Sequence, residues 1–285
     1  MRKIIFLFTT CVFLINSCKR DPALYEVNNL NGNVISAFGH AGMGIAFKYP
    51  IDTYESIEPV LRIGADGSEM DIQMTKDSVL VVYHHQNLNQ GTLCDGIIND
   101  KLWSDIWGCH HASPYSSTIN LISFDELMGE LTSLGKNIHN YVFTFDVKLY
   151  TNTSNYNAYL NQFANAILRS IDNFNMTDNI MIESSDTTFL RILQNKRSGL
   201  KLFIYPNDFE DGFQIASTMN LFGITIHTDY ITTSQLKLAH DNGFRVTLWG
   251  IGTNQANIDA ILKSPDFIQT DKPIHLLKVF GKYKD

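Results

Sequence analysis

The sequence predicts an α/β fold, a (β/α)8 TIM barrel that forms a single domain over residues 34–285. Short β-branched or aromatic runs alternate with amphipathic stretches, which is the pattern of a parallel sheet with crossover helices. A length of 285 residues is also one that a single α/β barrel commonly occupies. Neither a shift of composition nor an internal repeat divides the chain, so one barrel is the simplest architecture.

The chain begins with the composition of a secretory signal peptide over residues 1–17. A basic start precedes an apolar run that is too short for a comfortable membrane span. The run ends in Ile15-Asn16-Ser17-Cys18, which resembles the lipobox of bacterial lipoproteins, although Asn16 fits that pattern loosely. We therefore expect lipidation of Cys18 and a polar, asparagine-rich tether over residues 18–33. The alternative is an ordinary signal peptide that is cleaved nearby.

These features predict an exported protein that is lipid-anchored in the bacterial cell envelope, in the periplasm or at the cell surface. The formal charge of −7 falls to about −9 when the signal leaves, because 20 basic and 29 acidic residues remain. No Lys/Arg stripe is present, which argues against nucleic acid as a partner, and no protein partner is implied. If Cys18 is lipidated, Cys94 and Cys109 remain after cleavage and could form one disulfide.

The secondary-structure signals follow one another in regular order. A first strand is expected over residues 33–38, a helix over residues 54–63, and then a hairpin around Glu69. A loop-rich stretch over residues 87–118 leads to a helix that Ser123 caps. The later strands are predicted at residues 141–148, 179–184, 200–205, 223–227, 244–249 and 267–270, with helices between them. This gives nine candidates, and the extra one is expected to be a hairpin strand or residues 267–270.

The hairpin places two carboxylates on one face of a strand. Glu69 and Asp71 are two residues apart and therefore point the same way, and the short turn that follows returns the chain to His84. A pair of carboxylates so placed can hold a hard divalent cation. An exposed edge strand with solvated acids is the alternative for this motif taken alone.

Further polar groups follow other predicted strands, where the active-site face of a barrel lies. His40 follows the first strand, and Asp146 and Lys148 close the fourth. Three carboxylates without thiolates favour one Mg²⁺ or Ca²⁺ ion, and two imidazoles can divide acid and base roles. Lys148 would neutralise phosphate charge. Trp249 is a candidate wall of the substrate site, with a buried barrel aromatic as the alternative.

The chain resembles the glycerophosphodiester phosphodiesterase family, within the phosphatidylinositol phospholipase C-like superfamily, from about residue 38 to residue 273. The family's Gly-Ala-Asp-x-x-Glu-x-Asp-x-x-x-Thr-Lys-Asp block is complete at residues 64–77. Its His-Arg-Gly is similar to residues 40–42, and its Thr-Asp-x-Pro is found at residues 270–273. An apolar strand that ends in His84 and the Asp-x-Lys of residues 146–148 complete the resemblance.

The resemblance implies a metal-dependent hydrolase that converts glycerophosphodiesters to glycerol 3-phosphate and an alcohol. It implies a metal bound by Glu69, Asp71 and Asp146, with His40 and His84 as the acid/base pair. In that family the glycerol hydroxyl next to the phosphate is thought to attack phosphorus, and water then opens the cyclic product. Which histidine is the acid and which is the base stays open.

The chain departs from the family pattern at several positions. Ala41 replaces an arginine that is expected to contact phosphate, Ile51 and Asp52 alter a Pro-Glu-Asn-Thr motif, and Asp146 replaces a glutamate. Losing the bidentate hydrogen bonds of an arginine can lower affinity or shift the substrate. The alternatives are therefore a phospholipase-like enzyme that acts on another head group and a surface lipoprotein that only binds a phosphorylated ligand.

Overall fold

The computed structural model describes residues 34–112 and 118–285. The predicted signal peptide, lipidation site and tether lie outside these residues. The strands are β1 (Ser36–Gly39), β2 (Gly67–Met74), β3 (Leu80–Val82), β4 (Ile122–Ser123), β5 (Val142–Val147), β6 (Ile180–Ser184), β7 (Lys201–Ile204), β8 (Gly223–His227), β9 (Arg245–Ile251) and β10 (Phe267–Thr270). The helices are α1 (Tyr54–Arg62), α2 (Trp103–Ile106), α3 (Phe124–Ser133), α4 (Tyr156–Asn173), α5 (Thr187–Lys196), α6 (Phe209–Met219), α7 (Thr233–Asp241), α8 (Asn254–Lys263) and α9 (Pro273–Val279).

Eight parallel strands close into a barrel, which confirms the predicted fold. The strands β1, β2 and β5 to β10 pair in sequence order, and β1 closes the ring by pairing with both β10 and β2. The extra strand of the nine predicted is β3, which pairs antiparallel to β2 outside the barrel. The final candidate, β10, is a wall strand. The two-residue β4 extends the hairpin and was not predicted.

The helices cover the barrel with their apolar faces. In α4, the side-chain oxygen of Asn155 accepts from the N–H of Ala158 and so satisfies a donor that the helix start leaves free. Leu160, Phe163 and Ile167 follow at helical spacing and are fully buried. Helix α3 begins after Ser123 with the capping box that the sequence predicts. Among residues 34–112 and 118–285, no helix combines the length and the hydropathy needed to cross a bilayer.

The interior of the barrel has an apolar half and a polar half. We call the polar half, towards the carboxyl ends of the strands, the upper half and the apolar half the lower half. Phe38 of β1, Phe203 of β7 and Phe267 of β10 pack together in the lower half, with ring centroids 5.5 Å apart for Phe38 and Phe267 and 6.1 Å apart for Phe203 and Phe267. Towards the carboxyl ends of the strands, buried acids replace these rings. The aromatic rings fill the lower half, and the candidate residues lie at the polar upper end.

The wall of the barrel has a seam at β2. Residues Gly67 and Ser68 pair with β1, but residues 72–74 pair with β3 instead, so the strand changes its neighbour partway along. The loop that follows β1 fills the gap: the N–H of Asp71 donates to the side chain of Asp52 at 3.1 Å. A backbone donor that the ladder would otherwise satisfy thus finds a side-chain partner.

A disulfide joins Cys94 to Cys109 in the long segment between β3 and β4. Its closed loop spans 15 positions, for which chain-entropy arguments give about 3 kcal/mol of stability. We expect a reductant to lower the Tm of the wild type by roughly 5–10 °C. A Cys94→Ser/Cys109→Ser variant should already have the lower Tm and should not respond to reductant. Equal Tm values in all four measurements would contradict this expectation.

Candidate active site

Three carboxylates meet at the upper end of the barrel as the sequence predicts. Glu69 and Asp71 project from the same face of β2, and Asp146 lies on β5 in register with Asp71. Each offers one oxygen, and the three oxygens lie within 4.8 Å of one another. Glu69 and Asp71 are each only 2% exposed. The arrangement is a compact, nearly dry acidic cradle.

Lys148 lies beside this cradle and balances part of its charge. Its Nζ is 2.6 Å from Asp146 Oδ2 and 2.9 Å from Asp71 Oδ1. Burial alone would lower the pKa of this lysine, but the charges of Asp71 and Asp146 outweigh burial and raise it. Lys148 is therefore a fixed cation, placed where it can face an anionic group next to the carboxylates.

The cradle fits a divalent cation by its charge and by the chemistry of its donors. Burial, and then the charges of Asp71 and Asp146, raise the pKa of Glu69 well above its usual value. Burial would also raise the pKa of Asp71, but the charges of Lys148 and His84 and the side-chain hydrogen bonds from Asp52 and Lys148 together lower it. A bound cation would relieve the repulsion among the three carboxylates, and an all-carboxylate set suits Mg²⁺ or Ca²⁺.

His40 is held by an aspartate that follows β10. The Nδ1–H of His40 donates to Asp271 Oδ1 at 2.8 Å, and the same oxygen accepts from the N–H of Ile45. Burial lowers the pKa of His40, but the hydrogen bond and the charge of Asp271 outweigh it, so the pKa lies above its usual value. Asp271 fixes the ring and leaves Nε2 as the atom available to a substrate.

His84 reaches the same site from the hairpin. Gln73 of β2 donates from Nε2 to the carbonyl oxygens of Tyr83 and His85, which holds the chain on either side of His84. The Nδ1 atoms of His84 and His85 are 3.3 Å apart. His40 and His84 line one pocket of about 370 Å³. The structure therefore brings the two predicted histidines together beside the cradle.

Trp249 lies on the other side of the barrel mouth, in an aromatic cluster with Tyr205 and His227. The centroid of the Trp249 ring lies 5.4 Å from that of Tyr205 and 4.7 Å from that of His227. Burial, and then the charge of Asp146, raise the pKa of Tyr205, so this cluster is within electrostatic reach of the cradle. A contact between Trp249 and substrate stays a prediction.

Residue 41 contributes a backbone N–H to the site rather than a charged side chain. Ala41 is fully buried, has a positive φ of 47°, and donates its N–H to Glu69 Oε2 at 2.8 Å. The absence of an arginine therefore leaves Lys148 as the cation that contacts the cradle among the described residues. Asp52, another departure from the family pattern, supports Asp71 through the backbone hydrogen bond at the seam.

Sequence reasoning missed Glu183, a fourth buried carboxyl inside the barrel. It lies on β6 in register with Asp146, accepts from Thr225 Oγ1 at 2.6 Å and contacts the side-chain amide of Gln269. The signal was present, because a single acid interrupts the apolar run of residues 180–184. Nothing in the sequence indicates that Asp271, which lies within the Thr-Asp-x-Pro motif, is the partner of His40.

Glu183 should make folding stability depend on pH. Burial, and then the charge of Asp146, raise its pKa from 4.5 to about 8. Between these values the folded chain retains a proton that the unfolded chain has lost, so stability falls as pH rises, with a limiting slope of about 1.4 kcal/mol per pH unit. Denaturant unfolding in EDTA from pH 5 to pH 8 should show this decline, and Glu183→Gln should reduce it. An equal slope in both proteins would contradict the assignment.

Comparison with known proteins agrees with this geometry. The model of the glycerophosphoryl diester phosphodiesterase family matches residues 43–275. A glycerophosphodiester phosphodiesterase of Caldanaerobacter subterraneus subsp. tengcongensis is 21% identical over 249 residues, which are 85% of this chain and 97% of that protein. Matches to two Bacillus proteins span only 56% and 27% of their lengths.

Solved structures share the fold. A glycerophosphoryl diester phosphodiesterase-like protein from Silicibacter pomeroyi DSS-3 has a TM-score of 0.76 at 17% identity, and the match covers 90% of this chain and 98% of that one. A phosphodiesterase of Oleispira antarctica, whose structure contains the product sn-glycerol-3-phosphate, has a TM-score of 0.73 at 13% identity, with coverages of 86% and 96%. Since the family model spans most of the chain, this protein belongs to the glycerophosphoryl diester phosphodiesterase family.

Proposed function

We propose that the protein hydrolyses glycerophosphodiesters to glycerol 3-phosphate and an alcohol. The observation that carries this proposal is the juxtaposition of the acidic cradle with two histidines that open onto one pocket, in a chain of this family. The related Oleispira antarctica phosphodiesterase, which contains sn-glycerol-3-phosphate, supports the same product. We assign a divalent cation, Mg²⁺ or Ca²⁺, to Glu69, Asp71 and Asp146.

The residues of the chain have separable roles in this proposal. Lys148 lies against two carboxylates of the cradle. From that place it faces the phosphate of a bound substrate and offsets its negative charge. The raised pKa of His40 favours its protonated form and suits a general acid. His84 is then the general base. When bound, the cation polarises a phosphoryl oxygen and stabilises the charge that develops there.

The reaction would proceed in two displacements at phosphorus. In the first, His84 takes the proton of the glycerol hydroxyl next to the phosphate, the hydroxyl oxygen bonds to phosphorus, and the bond to the alcohol oxygen breaks. His40 gives its proton to that alcohol as it leaves. In the second, water bonds to phosphorus and opens the cyclic ester, with the two histidines exchanging roles.

An activity assay tests this function. Protein freed of metal should have no turnover on glycerophosphocholine, glycerophosphoethanolamine, glycerophosphoglycerol and glycerophosphoinositol, and added Mg²⁺ or Ca²⁺ should restore turnover on at least one of them. Product analysis should identify glycerol 3-phosphate. Release of a phosphorylated head group from intact phospholipid would favour a phospholipase instead. Binding without any turnover would favour a lipoprotein that only binds a ligand.

We also propose that the protein is anchored in the bacterial cell envelope through a lipid on Cys18. The support is the lipobox-like sequence of residues 15–18, which lies outside the described residues. Metabolic labelling with a radioactive fatty acid should mark the wild type, and the label should be lost in Cys18→Ser. Cys11→Ser, a change within the signal peptide, should leave the label in place. Labelling of Cys18→Ser at the wild-type level would contradict the anchor.

A further inference from the structure

The pocket beside the catalytic histidines has a chemical character of its own. Its walls come from the loop after β1, residues 45–52, and from the chain around β3, residues 83–91, together with His111. Its volume of about 370 Å³ lies within the range of small-molecule sites. We call it the head-group pocket. Because His40 and His84 border it, a group that it holds is positioned to be one of the two substituents of the phosphate.

The head-group pocket combines aromatic rings with one free cation. Phe47, Tyr49 and Tyr83 line it, and Lys48 places its Nζ 4.7 Å from the centre of the Tyr49 ring. No carboxylate among the described residues forms an ion pair with Lys48. Aromatic walls of this kind can bind a quaternary ammonium group through cation–π contacts. Here the lysine already occupies a face of Tyr49, and its charge repels a second cation.

No acidic group of the pocket lining offsets that repulsion. The one carboxyl among the described lining residues is Asp52, which is 1% exposed. Its Oδ1 accepts from the N–H of Asp71, and its Oδ2 is buried as well, so neither oxygen is presented to a ligand. The described lining residues therefore offer no carboxylate oxygen as a counter-charge to a choline or ethanolamine group.

The remaining polar groups match hydroxyls. Burial lowers the pKa of His111 to about 4, and burial and the charge of His84 lower the pKa of His85. A neutral imidazole offers one donor and one acceptor, as a hydroxyl group does. His111 Nε2 is buried and has no hydrogen-bond partner among the described residues.

We propose that the head-group pocket binds the alcohol half of the substrate and selects an uncharged, hydroxyl-rich group over a quaternary ammonium, with Lys48 as the specificity-determining residue. The proposal rests on the proposed function and adds to it the class of the leaving alcohol. In this proposal, the charge of Lys48 repels a cationic head group, and the neutral imidazoles form hydrogen bonds with the hydroxyls of an uncharged one.

The test compares kcat/KM for glycerophosphoinositol with kcat/KM for glycerophosphocholine. We expect the wild type to prefer the inositol ester by about tenfold or more, and Lys48→Glu to reduce that ratio by about tenfold, since a repelling charge becomes an attracting one. The matched control is Lys196→Glu, an exposed change at the end of α5, which should alter the ratio by less than about twofold.

Two results would overturn the proposal. One is a wild-type preference for glycerophosphocholine, and the other is a ratio that Lys48→Glu leaves unchanged. An unchanged ratio with an equal fall of both kcat/KM values would place the action of Lys48 on the phosphate. If the wild type turns over neither ester, the proposed function fails. Calorimetric binding of the same two esters to wild type and Lys48→Glu then decides the question of the pocket separately.

Discussion

Glu69→Gln is expected to remove divalent-cation binding and to lower kcat by about 10³-fold or more. The amide keeps an oxygen that can accept from the N–H of Ala41, so the loop after β1 should hold its place. It removes one of the three carboxyl groups of the cradle that can give up a proton to bind a cation, and loss of a metal that stabilises a phosphoryl group costs several kcal/mol in the transition state. Calorimetry with Ca²⁺ and Mg²⁺ should detect the loss independently of turnover.

Glu183→Gln is the matched control for that change. Glu183 is also a buried carboxyl inside the barrel, but its oxygens contact Thr225 and Gln269 and not the cradle. With a pKa of about 8 it is mostly protonated at neutral pH, so glutamine changes little of its charge. Metal affinity should stay within a few-fold of wild type. Equal loss of affinity in both variants would contradict the assignment of the metal to Glu69, Asp71 and Asp146.

His40→Ala and His84→Ala are each expected to lower kcat by about 10²- to 10⁴-fold, the range that general acid–base catalysis provides. Metal binding should persist in both, because neither ring belongs to the cradle. The control is His139→Ala, an exposed histidine away from the pocket, which should retain wild-type kcat. A His40→Ala protein that binds metal and turns over substrate normally would rule out the proposed role.

The Asp271→Asn variant tests whether Asp271 acts by raising the pKa of His40. It removes the charge that raises the pKa of His40, so the pKa of His40 should fall. If His40 is the acid, the alkaline limb of the kcat profile then moves to lower pH. A merely structural role for Asp271 would lower kcat without moving that limb.

The fold could be predicted because each barrel strand carries its own signal. Residues 223–227 and 267–270 have the bounds that apolar patterning gives, and the other predicted strands differ from the observed ones by a few residues at an end. Strand β4 could not be predicted, because two residues carry no periodicity and its pairing depends on a hairpin made elsewhere. Closure of the ring is also a tertiary property, which the sequence implies only through the count of strands.

The site could be predicted where residues are close in sequence or form a known motif, as for Glu69, Asp71 and Lys148. The pairing of His40 with Asp271 joins positions 231 residues apart, and nothing local to either indicates it. Glu183 was missed for a different reason. A single acid in a strand indicates a site residue only when the fold is known to bury it beside other acids.

The seam in β2 has a consequence for how this protein can diversify. The carboxylates of the cradle lie on wall strands, whereas the head-group pocket is built from the loop after β1 and from chain outside the ring. On our proposal, Lys48→Glu is therefore expected to alter which alcohol is recognised without disturbing the acidic cradle. Substitutions in these outer segments can vary the lining of the pocket while the barrel strands keep Glu69, Asp71 and Asp146 in place.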